Sequence, residues 1–172
     1  NMQCIGFDVN PLSVLASRVK TRNYFEQDVE ELKKELSELR KAGFEKPSIG
    51  WRFELFPPQR ALPKAGFEEM LFLKQKISEV GNAEARDFFL LALLSIIPET
   101  SFVIKDGGVL RIDFKRKKHV PPVKKAFFRK AEKMIRDLEN HAINGREPVV
   151  QEGDARKLPL ENNSVSSIIT SP

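Results

Sequence analysis

Helix-forming patterns fill the middle of this chain and separate two short apolar segments that each lead to an acid. Residues 2–7 precede Asp8, and residues 148–151 precede Gly153 and Asp154. Each segment is predicted to be a β-strand that presents an acid at its carboxyl end. The two acids lie 146 positions apart, whereas a plain βαβ connection needs a few tens of residues. The strands are therefore predicted to flank a large insertion.

Both ends of the chain have the pattern of an α/β fold. Asn10 and Pro11 have the residue types of a helix N-cap and first turn, and apolar residues follow at helical spacing. Residues 165–170 are β-prone and end at Ser171 and Pro172. The predicted fold class is α/β, a partial sheet with a large, mostly α-helical insertion. The predicted division is 1–22 and 145–172 for the α/β core, and 23–144 for the insertion.

Four helices and a hairpin are predicted inside the insertion. An amphipathic helix runs from about Tyr24 to Gly43, and its short apolar stripe favours packing on its own domain over a coiled-coil arm. Helices follow at 67–80 and 83–97, the second apolar nearly all round and so expected at the centre. A Lys-Asp-Gly-Gly turn at 105–108 predicts a hairpin. The last helix follows Pro121 and Pro122 and ends near Gly145.

Positive charge is concentrated near the end of the insertion. Residues 115–136 hold ten Lys or Arg and one acid, a net of +9, so the other 150 residues sum to −4 in a chain of net +5. Such a block can bind a phosphate backbone, or it can be an ordinary solvated face. The candidate nucleic-acid contacts are Lys115, Arg116, Lys117, Lys118, Lys124 and Lys125.

The sequence argues against a membrane-spanning protein, a secreted protein and a metal-binding protein. The longest nearly apolar stretch, 88–97, has ten residues, and a membrane-spanning helix needs about 20. Cys4 is the one cysteine, and the sequence opens without a basic-then-apolar leader, which together favour a cytoplasmic protein. His119 and His141 lack acid or cysteine partners at ligand spacing, so no metal site is expected.

The strand ends are the candidate binding site. In open α/β sheets, ligands bind outside the carboxyl ends of the strands. An acid at such an end can accept both ribose hydroxyls of a nucleoside cofactor. The alternative is purely local, because Asp8 can cap the following helix and Asp154 can close an Asx turn.

Taken in order, these segments resemble one family. The sequence GFDVNPLSVLASRVK at 6–20 looks like the second strand and following helix of S-adenosylmethionine-dependent amino-methyltransferases. EGDARKLPLENNSVSSIITSP at 152–172 resembles their third and fourth strands, ending in the start of a Ser-Pro-Pro-Tyr signature. RDFFLLALLSII at 86–97 is similar to a helical segment of prokaryotic DNA methylases with this signature. The resemblance implies a partial Rossmann-like sheet.

The resemblance implies a role for each site residue. Asp8 would bind the cofactor ribose, with Val9 and Asn10 beside it, and Asp154 the adenine amino group, with Ala155 adjacent. Ser171 and Pro172 would begin the catalytic loop and accept hydrogen bonds from the target amine. The methyl group would then pass by direct displacement without a metal. A base in a duplex would have to be flipped out.

The resemblance also implies missing parts. The glycine-rich first strand would precede Asn1, and a Pro-Tyr would follow Pro172. The chain is therefore expected to be an inactive piece of a longer enzyme. In the usual sheet order the first strand lies between the second and fourth, so the strands present here cannot all pair as they do in that family. Ser171 and Pro172 are therefore expected to be frayed or displaced.

The functional expectation is a site-specific DNA methyltransferase of a restriction–modification type, with the serine favouring cytosine N4 over adenine N6. The basic insertion would hold the DNA, or would serve stability or oligomerisation. The alternatives are an RNA base amino-methyltransferase, acting on tRNA or rRNA, and a non-enzymatic helical nucleic-acid-binding module. The oligomeric state does not follow from the sequence.

Overall fold

The computed structural model describes residues 3–50, 57–113, 115, 120–141 and 145–170. The elements are, in chain order, β1 (Ile5–Asp8), α1 (Pro11–Thr21), α2 (Glu26–Lys41), α3 (Pro58–Ala61), α4 (Lys64–Glu79), α5 (Ala83–Ser95), α6 (Ile97–Thr100), β2 (Val103–Asp106), β3 (Val109–Ile112), α7 (Val123–Asn140) and β4 (Val149–Glu152). The chain is thus mixed α/β, with a two-stranded parallel sheet and a two-stranded antiparallel sheet. The predicted helices and the hairpin are confirmed, with ends that shift by a few residues.

Two compact units make up the chain. The first, the sheet unit, consists of Asn1–Arg22 and Arg146–Pro172; the second, the helical unit, is Asn23–Gly145. These boundaries lie within one residue of those expected from the sequence.

In the sheet unit, β1 and β4 pair in parallel, and α1 packs beside them. The register joins Ile5 to Val149 and Asp8 to Glu152. Val14 and Val19 are buried on the inner face of α1. The Arg18 Nε donates a hydrogen bond to the Val150 carbonyl at 2.9 Å, which fixes α1 to β4.

The predicted strand at 165–170 is wrong. These residues belong to no strand or helix, and Ile168 and Ile169 are 80% and 99% exposed. A strand is stable only when its N–H and C=O groups pair with a neighbour. Within the described residues, β1 and β4 pair only with each other, so the apolar pattern of this segment has no sheet to join.

In the helical unit, α5 lies at the centre, as its all-round apolar sequence predicts. Phe88, Phe89 and Leu93 are fully buried, and the Phe89 ring lies 5.5 Å from Phe88 and 6.4 Å from Phe127 of α7. Asn82 caps α5 by accepting hydrogen bonds from the N–H groups of residues 84 and 85. This part of the core therefore joins α5 to α7.

The α2 helix packs on its own unit, so the coiled-coil alternative is wrong. Its apolar stripe is buried: Val29, Leu32, Leu36 and Leu39. At its edge the Arg40 guanidinium lies 4.7 Å from the Phe128 ring and 2.6 Å from the Glu132 carboxylate of α7. An exposed arm would leave those leucines in water, which costs hydrophobic free energy.

The hairpin closes through a two-residue glycine turn. Asp106 pairs with Val109, and Gly107 has φ +61°, a left-handed backbone that glycine adopts without steric cost. The β-prone sequence of this second strand extends from 109 to Phe114, which lies outside the described residues, whereas β3 ends at Ile112. Similarly, α7 ends at Asn140 and not near Gly145.

Candidate functional site at the carboxyl edge of the parallel sheet

The carboxyl ends of β1 and β4 form one edge of the parallel sheet. Asp8 and Glu152 are paired in register, and the Gly153 N–H donates a hydrogen bond to the Asp8 carbonyl at 3.1 Å. Asp154 follows two residues after the end of β4. Asp8, the last residue of β1, and Asp154, just beyond the end of β4, therefore follow adjacent strands to the same edge of the sheet, although 146 positions separate them in sequence.

Asp8 has a local hydrogen bond and spare acceptor capacity. It is exposed, and its Oδ1 accepts the Asn10 N–H at 2.8 Å. A carboxylate offers about four lone-pair sites, so acceptor sites remain for a vicinal diol such as a ribose. Asp8 thus fits both the local role and the cofactor role that the sequence left open.

Asn10 and Val9 complete the turn after β1. The Asn10 Oδ1 accepts the Leu12 N–H at 2.9 Å and so caps α1. Its side-chain oxygen serves the helix, which is the local function expected from the sequence. Val9, the residue that follows Asp8, is 65% exposed, so its apolar side chain is open to solvent at the end of β1.

Asp154 is bound to a cation that the sequence analysis did not single out. Its Oδ1 accepts the Arg156 main-chain N–H at 2.9 Å, and both oxygens lie 3.0 Å from the Arg156 Nε. The Nη2 of the same guanidinium contacts Oδ2. The Arg156 side-chain hydrogen bonds, and next its main-chain N–H, lower the pKa of the Asp154 carboxyl.

The Asp154 arrangement matches the Asx-turn alternative. An adenine amino group could bind this carboxylate only after the Arg156 guanidinium turns away, because the present bonds use its acceptor sites. The Arg156 side chain is 88% exposed, so its movement into solvent meets no packing barrier. The spacing of Arg156 two residues after Asp154 could have predicted this pair from the sequence.

Gly153 lies against Phe7. A Cβ at Gly153 would lie 2.8 Å from the Phe7 Cδ1, closer than real Cβ contacts come. The glycine therefore allows the backbone to turn over the aromatic ring at the point where β4 ends. This close approach explains why the first residue of the Gly-Asp-Ala sequence is a glycine.

The remaining predicted site residues divide into described and undescribed ones. Ser171, Pro172, Arg116, Lys117 and Lys118 lie outside the described residues. Ala155 is exposed in the turn after Asp154.

The other predicted nucleic-acid contacts are described. Lys115 is exposed, and its main-chain N–H donates to Asp113 Oδ1 at 3.0 Å. Lys125 is exposed on the first turn of α7, whereas Lys124 is half-buried. The main-chain N–H of Lys124 donates to Glu69 Oε2 at 3.0 Å.

The described residues contain neither a metal-binding cluster nor a membrane-spanning helix. No group of three or more His, Cys, Asp or Glu side chains in the described part of the chain could hold a metal ion. Within the same residues, no helix combines the length and apolar character needed to cross a bilayer.

No protein-family model, curated protein sequence or solved structure matches the chain.

Proposed function

We propose that this chain carries part of the cofactor-binding edge of an S-adenosylmethionine-dependent methyltransferase that acts on an exocyclic amine of a DNA base. Cytosine N4 is the favoured target, with adenine N6 second. The observation that supports this proposal is the parallel pairing of β1 and β4. It joins two segments that are distant in sequence and that each resemble a cofactor-binding strand of this family.

The chemistry of the edge suits a cationic nucleoside. Asp8, Glu152 and Asp154 supply three carboxylates at or just beyond the strand ends, and Arg156 is the cation bound to one of them. A sulfonium cofactor is positively charged, so carboxylates near it lower its electrostatic free energy. Asp8 would accept the ribose hydroxyls, and the exposed Val9 would cover one face of the adenine.

Asp154 would bind the adenine amino group in exchange for Arg156. The ion pair is exposed, and exposed pairs contribute little net free energy because water competes for both groups. An amine donor from the cofactor would replace the guanidinium donors, so the carboxylate stays hydrogen-bonded. Arg156 thereby acts as a competitor of the cofactor for Asp154.

Ser171 and Pro172 would orient the target amine, as the resemblance implies. The Ser171 hydroxyl and the Pro172 carbonyl would accept hydrogen bonds from the amino group and direct its nitrogen lone pair toward the methyl donor. The contribution of these residues would be positioning. In well-oriented reactions, positioning lowers the activation free energy by about 7 to 11 kcal/mol.

A non-enzymatic helical nucleic-acid-binding module is the competing function, and one observation favours it. Asp8 and Asp154 both accept hydrogen bonds from main-chain N–H groups two residues onward, so each has a structural role that requires no cofactor. The two functions differ in one property. The enzyme would bind S-adenosylmethionine at the sheet edge, whereas a module of that kind would not.

Titration of the chain with S-adenosylmethionine, followed by amide chemical shifts, tests the proposal. We expect saturable shifts at residues 8–10 and 153–156 below about 1 mM ligand, the upper end of ordinary enzyme affinities. Asp8→Asn keeps the oxygen that accepts the Asn10 N–H and should weaken binding, because a neutral amide replaces the carboxylate. Glu45→Gln, an equal charge change on an exposed residue of the helical unit, should leave the titration unchanged. Absence of saturable shifts at the edge would contradict the proposal.

A further inference from the structure

Four cations form a single line along the outer side of α7. Lys125, Arg129, Lys133 and Arg136 are all exposed. An α-helix turns about 100° per residue, so these positions fall within an arc of about 80°. We call this set the α7 stripe.

The α7 stripe faces directly away from the core of the helical unit. The buried residues of the helix are Val123, Ala126, Phe127, Phe128, Ala131 and Ile135. By the same helical geometry these positions centre about 180° from the stripe. The apolar face of α7 is thus already used in the core, and the stripe is its solvent face.

The acids near the stripe are mostly paired with other cations. Glu132 binds Arg40 at 2.6 Å, and Glu139 binds Lys33 at 2.9 Å, both on α2. Within the stripe, Arg129 binds Glu99 at 2.6 Å, and Asp137 borders the C-terminal end. Within the described residues, Lys125, Lys133 and Arg136 form no side-chain ion pair, so three cations remain available on one surface.

The order of charges along α7 opposes helix stability. Its first turn contains Lys124 and Lys125 without an acid, and its last turn has no basic residue. The helix macrodipole favours the opposite arrangement, with acids first and bases last. The macrodipole therefore gives no reason for Lys125, the member of the α7 stripe in that first turn, and such departures from local preference are expected where a residue serves binding.

We infer that the α7 stripe binds the phosphate backbone of double-helical nucleic acid. From Lys125 to Arg136 the helix rises about 16 Å, at 1.5 Å per residue. Phosphates along one strand of B-DNA recur about every 3.4 Å along the axis, so this length covers roughly five of them. Lysine and arginine side chains on one line can reach several of these phosphates and release their counterions.

The chemistry of the stripe favours nucleic acid over a lipid surface. A helix that lies on a membrane inserts an apolar face beside its basic one. In α7 the apolar face is occupied by the core of its own unit, and the stripe itself contains cations alone. The inference rests on the proposed function in preferring DNA to RNA, and it locates the DNA on the helical unit.

Fluorescence anisotropy with a labelled DNA duplex of mixed sequence tests this inference on the whole chain. The stripe variant replaces Lys125, Lys133 and Arg136 with Gln. The control variant replaces Lys34, Lys46 and Lys105 with Gln, three exposed lysines that lie outside α7. Both variants carry a net charge three units lower than the parent, so a difference between them reports position and not total charge.

Removal of three phosphate contacts should make the negative slope of log K against log salt shallower by about 3. It should also lower the affinity for the duplex at 0.1 M salt by at least about tenfold. The control should stay within about twofold of the parent, since its lysines contact no phosphate in this account. Circular dichroism checks that both variants fold. Lys125→Arg with Lys133→Arg keeps the charge and should keep binding.

Three outcomes would overturn the inference: no binding of the parent to the duplex, an equal loss in the control variant, or a preference for phosphatidylserine vesicles over DNA. A separate measurement distinguishes this inference from the proposed function. The stripe variant should still show the chemical-shift changes with S-adenosylmethionine at the sheet edge. Loss of DNA binding with retained cofactor shifts supports both, whereas parent DNA binding without cofactor shifts contradicts only the enzyme.

Discussion

Asn23 and Gly145 join the two ends of the helical unit. The Asn23 Nδ2 donates a hydrogen bond to the Gly145 carbonyl at 2.7 Å, and the Gly145 N–H donates to the Asn23 Oδ1 at 3.4 Å. The chain therefore leaves this unit close to where it entered, although the two residues are 122 positions apart. Closely spaced ends are what allow one unit to be inserted within another.

The first prediction concerns this junction. Asn23→Ala removes both hydrogen bonds and should lower the free energy of unfolding of the chain by about 1 kcal/mol. Denaturation by urea, followed by circular dichroism, measures the change. Asn162→Ala, at an exposed asparagine of the 161–164 turn, should alter the midpoint little. An unchanged midpoint in Asn23→Ala would show that the junction does not stabilise the unit.

A second prediction concerns Gly153. Gly153→Ala places a Cβ at 2.8 Å from the Phe7 Cδ1 and should destabilise the sheet unit by about 1–3 kcal/mol, the usual cost of overpacking. Gly6→Ala has open space around its new Cβ and serves as the control. Replacement of Phe7 by Leu in the Gly153→Ala background should restore part of the loss. Amide-exchange protection of residues 5–8 and 149–152 measures the effect.

The third prediction concerns the aromatic core. Phe89 is 0% exposed, between Phe88 and Phe127, so Phe89→Ala should cost about 3–5 kcal/mol through lost burial and a cavity. Phe25→Ala is the control, since that ring is 69% exposed. Thermal unfolding of the helical unit should respond strongly to the first change and weakly to the second. Equal responses would contradict the assigned core.

The fourth prediction concerns the titration of Asp154. Its folded-state pKa lies below the ordinary carboxyl value because Arg156 donates to the ionised form. The Asp154–Arg156 pair therefore stabilises the folded chain at pH values above the ordinary carboxyl pKa, and this stabilisation is lost as the pH falls through the lowered pKa of Asp154. Arg156→Gln should move the pKa of Asp154 back upward, as measured by carboxyl carbon shifts in an NMR pH titration. Lys157→Gln is the control, and an equal shift in that variant would argue against the specific pair.

The Arg156→Gln variant also tests the proposed exchange at Asp154. If Arg156 competes with the adenine amino group, its removal should strengthen the binding of S-adenosylmethionine. Lys157→Gln removes the next cation along the chain and should leave the affinity unchanged. Weaker binding in Arg156→Gln would instead mean that the arginine supports the cofactor site.

Sequence periodicity predicted the helices well because their hydrogen bonds are local. The spacing of Val29, Leu32, Leu36 and Leu39 predicts α2, and the Asn82 cap predicts the start of α5. The strand at 165–170 failed for the converse reason. A β-prone pattern forms a strand only against a partner, and partner identity depends on residues far away in sequence.

The candidate site was predicted in part. The carboxyl ends of parallel strands share an edge, and this rule predicts that Asp8 and Asp154 lie at the same edge of the sheet. The rule for strand ends does not predict the Arg156 pair, which depends on a local donor two residues after Asp154. The total charge of residues 115–136 does not predict the α7 stripe beyond Lys125, whereas spacings of four, four and three residues place its four cations on one side of the helix.

Photolabelling with radioactive S-adenosylmethionine under ultraviolet light, followed by peptide mapping, shows whether the cofactor binds at the sheet edge. We expect label on peptides that contain residues 5–12 or 149–157, with loss of label when unlabelled S-adenosylhomocysteine competes. Label that resists competition, or that falls on α2, α5 or α7, would contradict a cofactor site at the edge where β1 and β4 end.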